Sequence, residues 1–190
     1  MSLLRLLPAG LLLTLPLFGC DGKTDDTGDN GGDDTNESSD PGDPPELVIN
    51  EILAANVTVN TDDLGEFDDW LEIYNPGTET ADLSEVYLTD TLTNPTSFGF
   101  PGGTTLAPGG YLLVWCDDGT GAEGFHAPFK LDKAGDEVAL HYVHGANDPL
   151  RLDWVQFGKL ADDLSAARVP DGSDTWVNTA TPTPEASNGT

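Results

Sequence analysis

The sequence predicts an all-β domain, a sandwich of two sheets built from seven to nine short strands. Three observations predict it. Apolar residues come in short runs, and the clearest of these alternate in and out with a period of two, as in Trp70-Leu71-Glu72-Ile73-Tyr74. The 22 Gly and 14 Pro fall mostly between those runs, where turns belong. No amphipathic helix longer than one or two turns can be drawn anywhere in the chain.

The chain opens with Arg5 and an apolar run from Leu6 to Leu17. That run is too short to span a bilayer, which takes roughly 20 residues, and residues 1–19 read as a secretory signal. Leu17-Phe18-Gly19-Cys20 resembles the lipobox of bacterial lipoproteins. The resemblance implies a lipid-carrying Cys20 and a place in the bacterial cell envelope, on its periplasmic or outer face. Apart from Cys20, Lys23 and Glu37, residues 20–45 are Asp, Gly, Thr, Asn, Ser and Pro, with no large apolar side chain. Such a segment buries too little surface to offset its chain entropy, so it is expected to be a disordered acidic linker. At that length it would reach roughly 25–30 Å from its anchor, and like charges would extend it further.

The folded domain is expected over residues 46–190. Leu47 to Ala54 reads as the first strand and Trp70 to Asn75 as the second, ended by Asn75-Pro76-Gly77. Both faces of the second strand carry apolar residues, which places it inside a sheet rather than at its edge. Asp82 to Asp90 reads as a third strand, Phe98-Gly99-Phe100 as a short one, and Tyr111 to Cys116 as a buried one after the turn at Pro108-Gly109-Gly110. Phe129-Lys130-Leu131 and Glu137 to Tyr142 suggest a hairpin around Lys133-Ala134-Gly135-Asp136. Leu152 to Phe157 and the segment from Ala167 to Trp176 complete the pattern.

The charge excludes one class of partner. The chain carries 34 acidic and 7 basic residues, a formal −27. Residues 47–190 alone hold 24 acids against five basic residues, so the domain itself stands near −19. Phosphate backbones would repel it, which argues against nucleic-acid binding, while divalent cations would be attracted.

Taken in order, these segments resemble the lamin tail domain, an immunoglobulin-like β-sandwich. The resemblance is carried by Ile49-Asn50-Glu51-Ile52, Asp69-Trp70-Leu71-Glu72-Ile73-Tyr74-Asn75-Pro76, Asp82-Leu83-Ser84, Leu106-Ala107-Pro108-Gly109-Gly110-Tyr111, Val155-Gln156-Phe157-Gly158, Arg168-Val169-Pro170-Asp171-Gly172 and Pro182-Thr183-Pro184. It implies an immunoglobulin-like fold over about residues 46–188. Where the family pattern has Gly after Pro-Thr-Pro, this chain has Glu185.

Little in the sequence suggests catalysis. There is no Ser-His-Asp or Cys-His signature and no glycine-rich phosphate loop, and no catalytic domain is expected beyond the sandwich. His141 and His144 are three apart on an expected strand and so point to opposite faces. Cys116 ends a buried strand and reads as a small apolar residue. The tryptophans Trp70, Trp115, Trp154 and Trp176 read as core or rim. Arg168 is expected to be buried against a carboxylate, with Glu72 or Glu51 as its partner.

One loop carries a ligand signal. Residues 56–69 hold Asp62, Asp63, Glu66, Asp68 and Asp69, with Gly65 permitting a sharp bend. Calcium takes six to eight oxygen ligands from flexible carboxylate loops, so Asp62, Asp63, Glu66 and Asp68 are the candidate metal ligands. The functional expectation is a membrane-anchored, non-catalytic binding or structural module that meets an envelope protein or polysaccharide. The alternatives are a calcium-dependent adhesive or glycan-binding module, or an accessory domain of an extracellular hydrolase complex.

Overall fold

The computed structural model describes residues 42–119, 121 and 123–190. The signal segment 1–19, Cys20 and most of the acidic linker lie outside the described residues. Ser39–Thr190 forms one compact unit.

Twelve strands are present among the described residues: β1 Val48–Leu53, β2 Asp69–Tyr74, β3 Ala81–Asp82, β4 Val86–Thr89, β5 Phe98–Gly99, β6 Thr105–Leu106, β7 Tyr111–Cys116, β8 His126–Ala127, β9 Gly135–Tyr142, β10 Leu150–Gly158, β11 Ser165–Arg168 and β12 Trp176–Thr179. They form a six-stranded sheet in the order β12-β11-β1-β2-β7-β8, a four-stranded sheet β10-β9-β4-β5, and the small pair β3-β6. Among the described residues the strand pairings are antiparallel except that of β7 with β8. The fold is the expected sandwich, and β2 lies inside its sheet between β1 and β7.

The inner faces bury Ile49, Ile52, Leu71, Ile73 and Val114 from one sheet against Leu88, Val138, Leu140, Val155 and Phe157 from the other. Alternation sends Trp70 and Glu72 to the opposite face of β2, yet both are fully buried. Two segments cover that outer face. Loop 56–68 lies over one end, where Val59 packs on Leu53, Trp70 and Trp115. The C-terminal residues lie over the other end. There Thr183 donates to Glu51 from its backbone and its hydroxyl, and the Glu185 N–H donates to Glu72 Oε2 at 2.6 Å. The apolar residues on both faces of β2 therefore reflect one sheet face closed by the partner sheet and the other closed by chain segments.

Three expectations need correction. The stretch from Asp82 to Asp90 is two strands in different sheets, because the turn at Leu83-Ser84-Glu85 takes the chain from β3 to β4. The hairpin with Phe129-Lys130-Leu131 does not form. Lys130 bridges Asp117, and β9 pairs with β10 and β4. Arg168 is buried as expected, but its carboxylate is neither Glu72 nor Glu51. Its Nη2 donates to both oxygens of Asp153 at 3.0 Å, Nε to the Ile49 carbonyl at 2.8 Å and Nη1 to the Ser173 carbonyl at 2.6 Å. Glu51 and Glu72 are already occupied by Ser165 and the C-terminal segment. Asp153 stands on β10, so this ion pair ties the two sheets together.

Candidate functional site

The loop between β1 and β2 is organised from its base upward. Asn56 is buried, and its Nδ2 donates to the carbonyls of Asn60 and Asp68, both at 2.8 Å, while its N–H donates to Asp69 Oδ1. The indole N–H of Trp70 donates to Asn60 Oδ1 at 2.8 Å. From the β10–β11 connection, Asp163 accepts the N–H groups of Val57 and Thr58 and the Thr58 hydroxyl. Those hydrogen bonds hold its carboxyl below the usual range, with burial only slightly opposing them.

The tip turns at Gly65, whose φ of 81° suits glycine. Asp62 Oδ1 accepts the N–H groups of Leu64 and Glu66 at 3.0 and 2.8 Å. Asp62 is only 8% exposed, and its other oxygen, Oδ2, is buried with no hydrogen-bond partner. Asp68 Oδ2 is in the same condition. A buried acceptor left unsatisfied costs about 1–3 kcal/mol, and more when charged. Asp62, Glu66 and Asp68 each offer an oxygen within 4.8 Å of the others. Two oxygens bound to one calcium at about 2.3–2.6 Å lie no more than about 5 Å apart, so the spacing fits that ion. Burial raises the Asp68 carboxyl above its ordinary value, and the charges of Asp117 and Asp62 raise it further. A cation among these oxygens would oppose all three by favouring the charged form.

Three of the four residues singled out in the sequence thus converge. Asp63 turns toward His126, with its Oδ1 3.6 Å from Nε2. The sequence reading missed Asp117 and His126. Asp117 directly follows β7 and meets the His126 Nδ1, and together with Asp62 these two form a second group of converging ligand atoms. Burial alone would lower the His126 pKa, but the hydrogen bonds to Asp117 and the Glu123 carbonyl, with the charges of Asp117 and Asp63, outweigh it and raise it. The run Asp117-Asp118-Gly119 at a strand end was the available signal. Only the parallel pairing of β8 on β7 brings His126 beside it.

The other histidines form no second cluster: His141 Nδ1, on β9, is buried without a hydrogen-bond partner and stands outside the acidic loop. His141 and His144 do not converge, and His144 Nδ1 meets Glu85 Oε2 at 2.7 Å. Burial, reinforced by the surrounding carboxylates, pushes the Cys116 thiol well above its ordinary value, which leaves it unreactive. A cleft of about 640 Å³ at the N-terminal entry is lined by Asp43, Glu46, Glu79, Glu85 and Tyr142, but it holds none of the orphaned oxygens.

The model of the Lamin Tail Domain family matches residues 41–159. The chain belongs to the lamin tail domain family. No curated protein and no solved structure matches it. The lamin tail domain is an immunoglobulin-like binding or structural module, and its match here takes in the acidic loop, Asp117 and His126. It stops short of β11 and β12, which extend the six-stranded sheet beyond β1, and of the C-terminal segment that covers its outer face.

Proposed function

We propose that this chain is a lipid-anchored protein of the bacterial cell envelope that displays its lamin tail domain as a non-catalytic binding module ordered by calcium. The observation that carries the calcium reading is the pair of buried, unpartnered oxygens on Asp62 and Asp68, two residues that with Glu66 bring ligand oxygens within 4.8 Å of one another. Three carboxylates suit a hard cation better than a soft one. Anchoring is supported by Leu17-Phe18-Gly19-Cys20 at the end of the apolar run. A diacylglycerol and an acyl chain on Cys20, at about 0.8 kcal/mol per buried CH₂, would hold the protein on a bilayer essentially permanently.

Calcium bound only by the folded state stabilises it by RT ln(1 + [L]/Kd), about 2.7 kcal/mol at a hundredfold excess over Kd. For a unit of this size that is a rise in melting temperature of about 5–10 °C. Residues 39–190 should melt that much higher in millimolar calcium than in chelator, and Asp62→Asn with Asp68→Asn should abolish the difference. Equal melting temperatures in calcium and chelator would leave only a solvated acidic loop. For the anchor, Cys20→Ala should move the protein from the membrane pellet to the soluble fraction. A variant that stays in the pellet rules the lipid out.

A further inference from the structure

The loop that gathers the carboxylates also carries three of the six exposed large apolar side chains among the described residues. Val57, Leu64 and Phe67 are 49%, 56% and 48% exposed. Leu64 lies between Asp62 and Glu66 in sequence, and Phe67 between Glu66 and Asp68. Asp62 thus turns inward and Asp68 partly so, while Leu64 and Phe67 stand exposed within the same few residues. A solvated acidic loop has no use for exposed Leu and Phe at its tip, whereas a docking surface does.

We infer that this loop docks on a phospholipid surface with anionic headgroups, the calcium serving as the bridge. The inference rests on the calcium reading above. Asp62 supplies the second observation beyond the acidic cluster itself: it is more than nine-tenths buried and its Oδ2 has no partner. Asp62, Glu66 and Asp68 cannot fill the six to eight positions of calcium unless every one of them binds through both oxygens. Asp62 Oδ1 is already taken by two backbone N–H groups. Positions therefore remain for oxygens beyond these three carboxylates, and a headgroup phosphate is one source of them.

Charge decides the need for the ion. A domain near −19 is repelled by an anionic bilayer, so contact without the cation is unfavourable. The apolar tips decide the kind of partner. Val57, Leu64 and Phe67 project from a loop instead of lining a groove, and a fluid hydrocarbon layer receives them without a matching shape. A polysaccharide offers oxygens to calcium but no apolar depth for a leucine. On the anchoring reading, the tether would also keep the loop close to such a surface, so that a weak contact suffices.

The test is sedimentation of residues 39–190 with vesicles of phosphatidylcholine and phosphatidylglycerol, in millimolar calcium and in chelator, with melting curves run alongside. That unit contains every described strand and the whole apolar core, so it carries what it needs to fold. Calcium should raise the bound fraction about tenfold or more on the anionic vesicles and leave pure phosphatidylcholine vesicles nearly unbound. Leu64→Ser with Phe67→Ser should remove the vesicle binding while keeping the calcium-induced rise in melting temperature. A rise in melting temperature with no calcium-dependent vesicle binding overturns the lipid inference and leaves the calcium site standing. No effect of calcium on either measurement overturns both. Calcium-dependent retention on an acidic polysaccharide column without vesicle binding replaces the lipid with a glycan.

Discussion

Arg168 is one of five basic residues in the domain, and it is placed where a cation is hardest to spare. Its guanidinium lies 4.7 Å from the centre of the Trp176 ring and grips both oxygens of Asp153. Removing one partner strands the other as a buried charge. Arg168→Ala should therefore cost about 3–5 kcal/mol in chemical denaturation, and a loss below about 1 kcal/mol would mean the pair is no more than a surface contact. Glu185 offers the opposite sign. It holds φ at 60°, in the left-handed region, at the position where the family resemblance has Gly. A non-glycine residue there costs roughly 1–2 kcal/mol, partly offset by the extra chain entropy of glycine. Glu185→Gly should stabilise the domain by about 0.5–1 kcal/mol, and any destabilisation would show that the Glu185 side chain contributes more than its backbone loses. The burial of Arg168 was legible from its apolar neighbours and its family position. Its partner was not, because Asp153 reaches it across the two sheets, and local sequence does not encode that approach.

At the scale of elements, the C-terminal segment is held on β1 and β2 by buried carboxylates. Burial, only partly opposed by the hydrogen bonds from the Glu185 N–H and Asn50, pushes Glu72 from 4.5 up to about 8. Glu51 is raised as well, again chiefly by burial. A raised carboxylate binds its proton in the folded state and releases it on unfolding. Stability from Glu72 is therefore fully present below about pH 4.5 and is lost as pH rises toward about 8, at up to about 1.4 kcal/mol per pH unit. Melting curves between about pH 5 and pH 9 should show this decline, and Glu72→Gln should flatten it. An unchanged slope in the variant would place the titration elsewhere. The longer strands were readable from their period-two pattern and from the prolines and glycines that end them. The two-residue strands β3, β5, β6 and β8 were not, since so short a pairing leaves no periodicity. Neither was the covering of the outer sheet face, because polar loop residues such as Asn56 and Thr183 do that work through hydrogen bonds.

For the molecule as a whole, the excess of acids has an uneven meaning. With 34 acids in the sequence, their number hid the few that converge. Asp62, Glu66 and Asp68 could be picked out in sequence by their closeness around Gly65, while the part played by Asp117 and His126 depended on how β7 and β8 lie together. We propose calcium as the missing partner of two buried oxygens, in a loop that Asn56 and Asp163 hold in place. Equilibrium dialysis of residues 39–190 against labelled calcium tests that claim most directly. A calcium site in this loop predicts saturable binding near one ion per chain that disappears in the Asp62→Asn, Asp68→Asn double variant and persists in Leu64→Ser, Phe67→Ser. No saturable binding, or binding that survives loss of both Asp62 and Asp68, would contradict it.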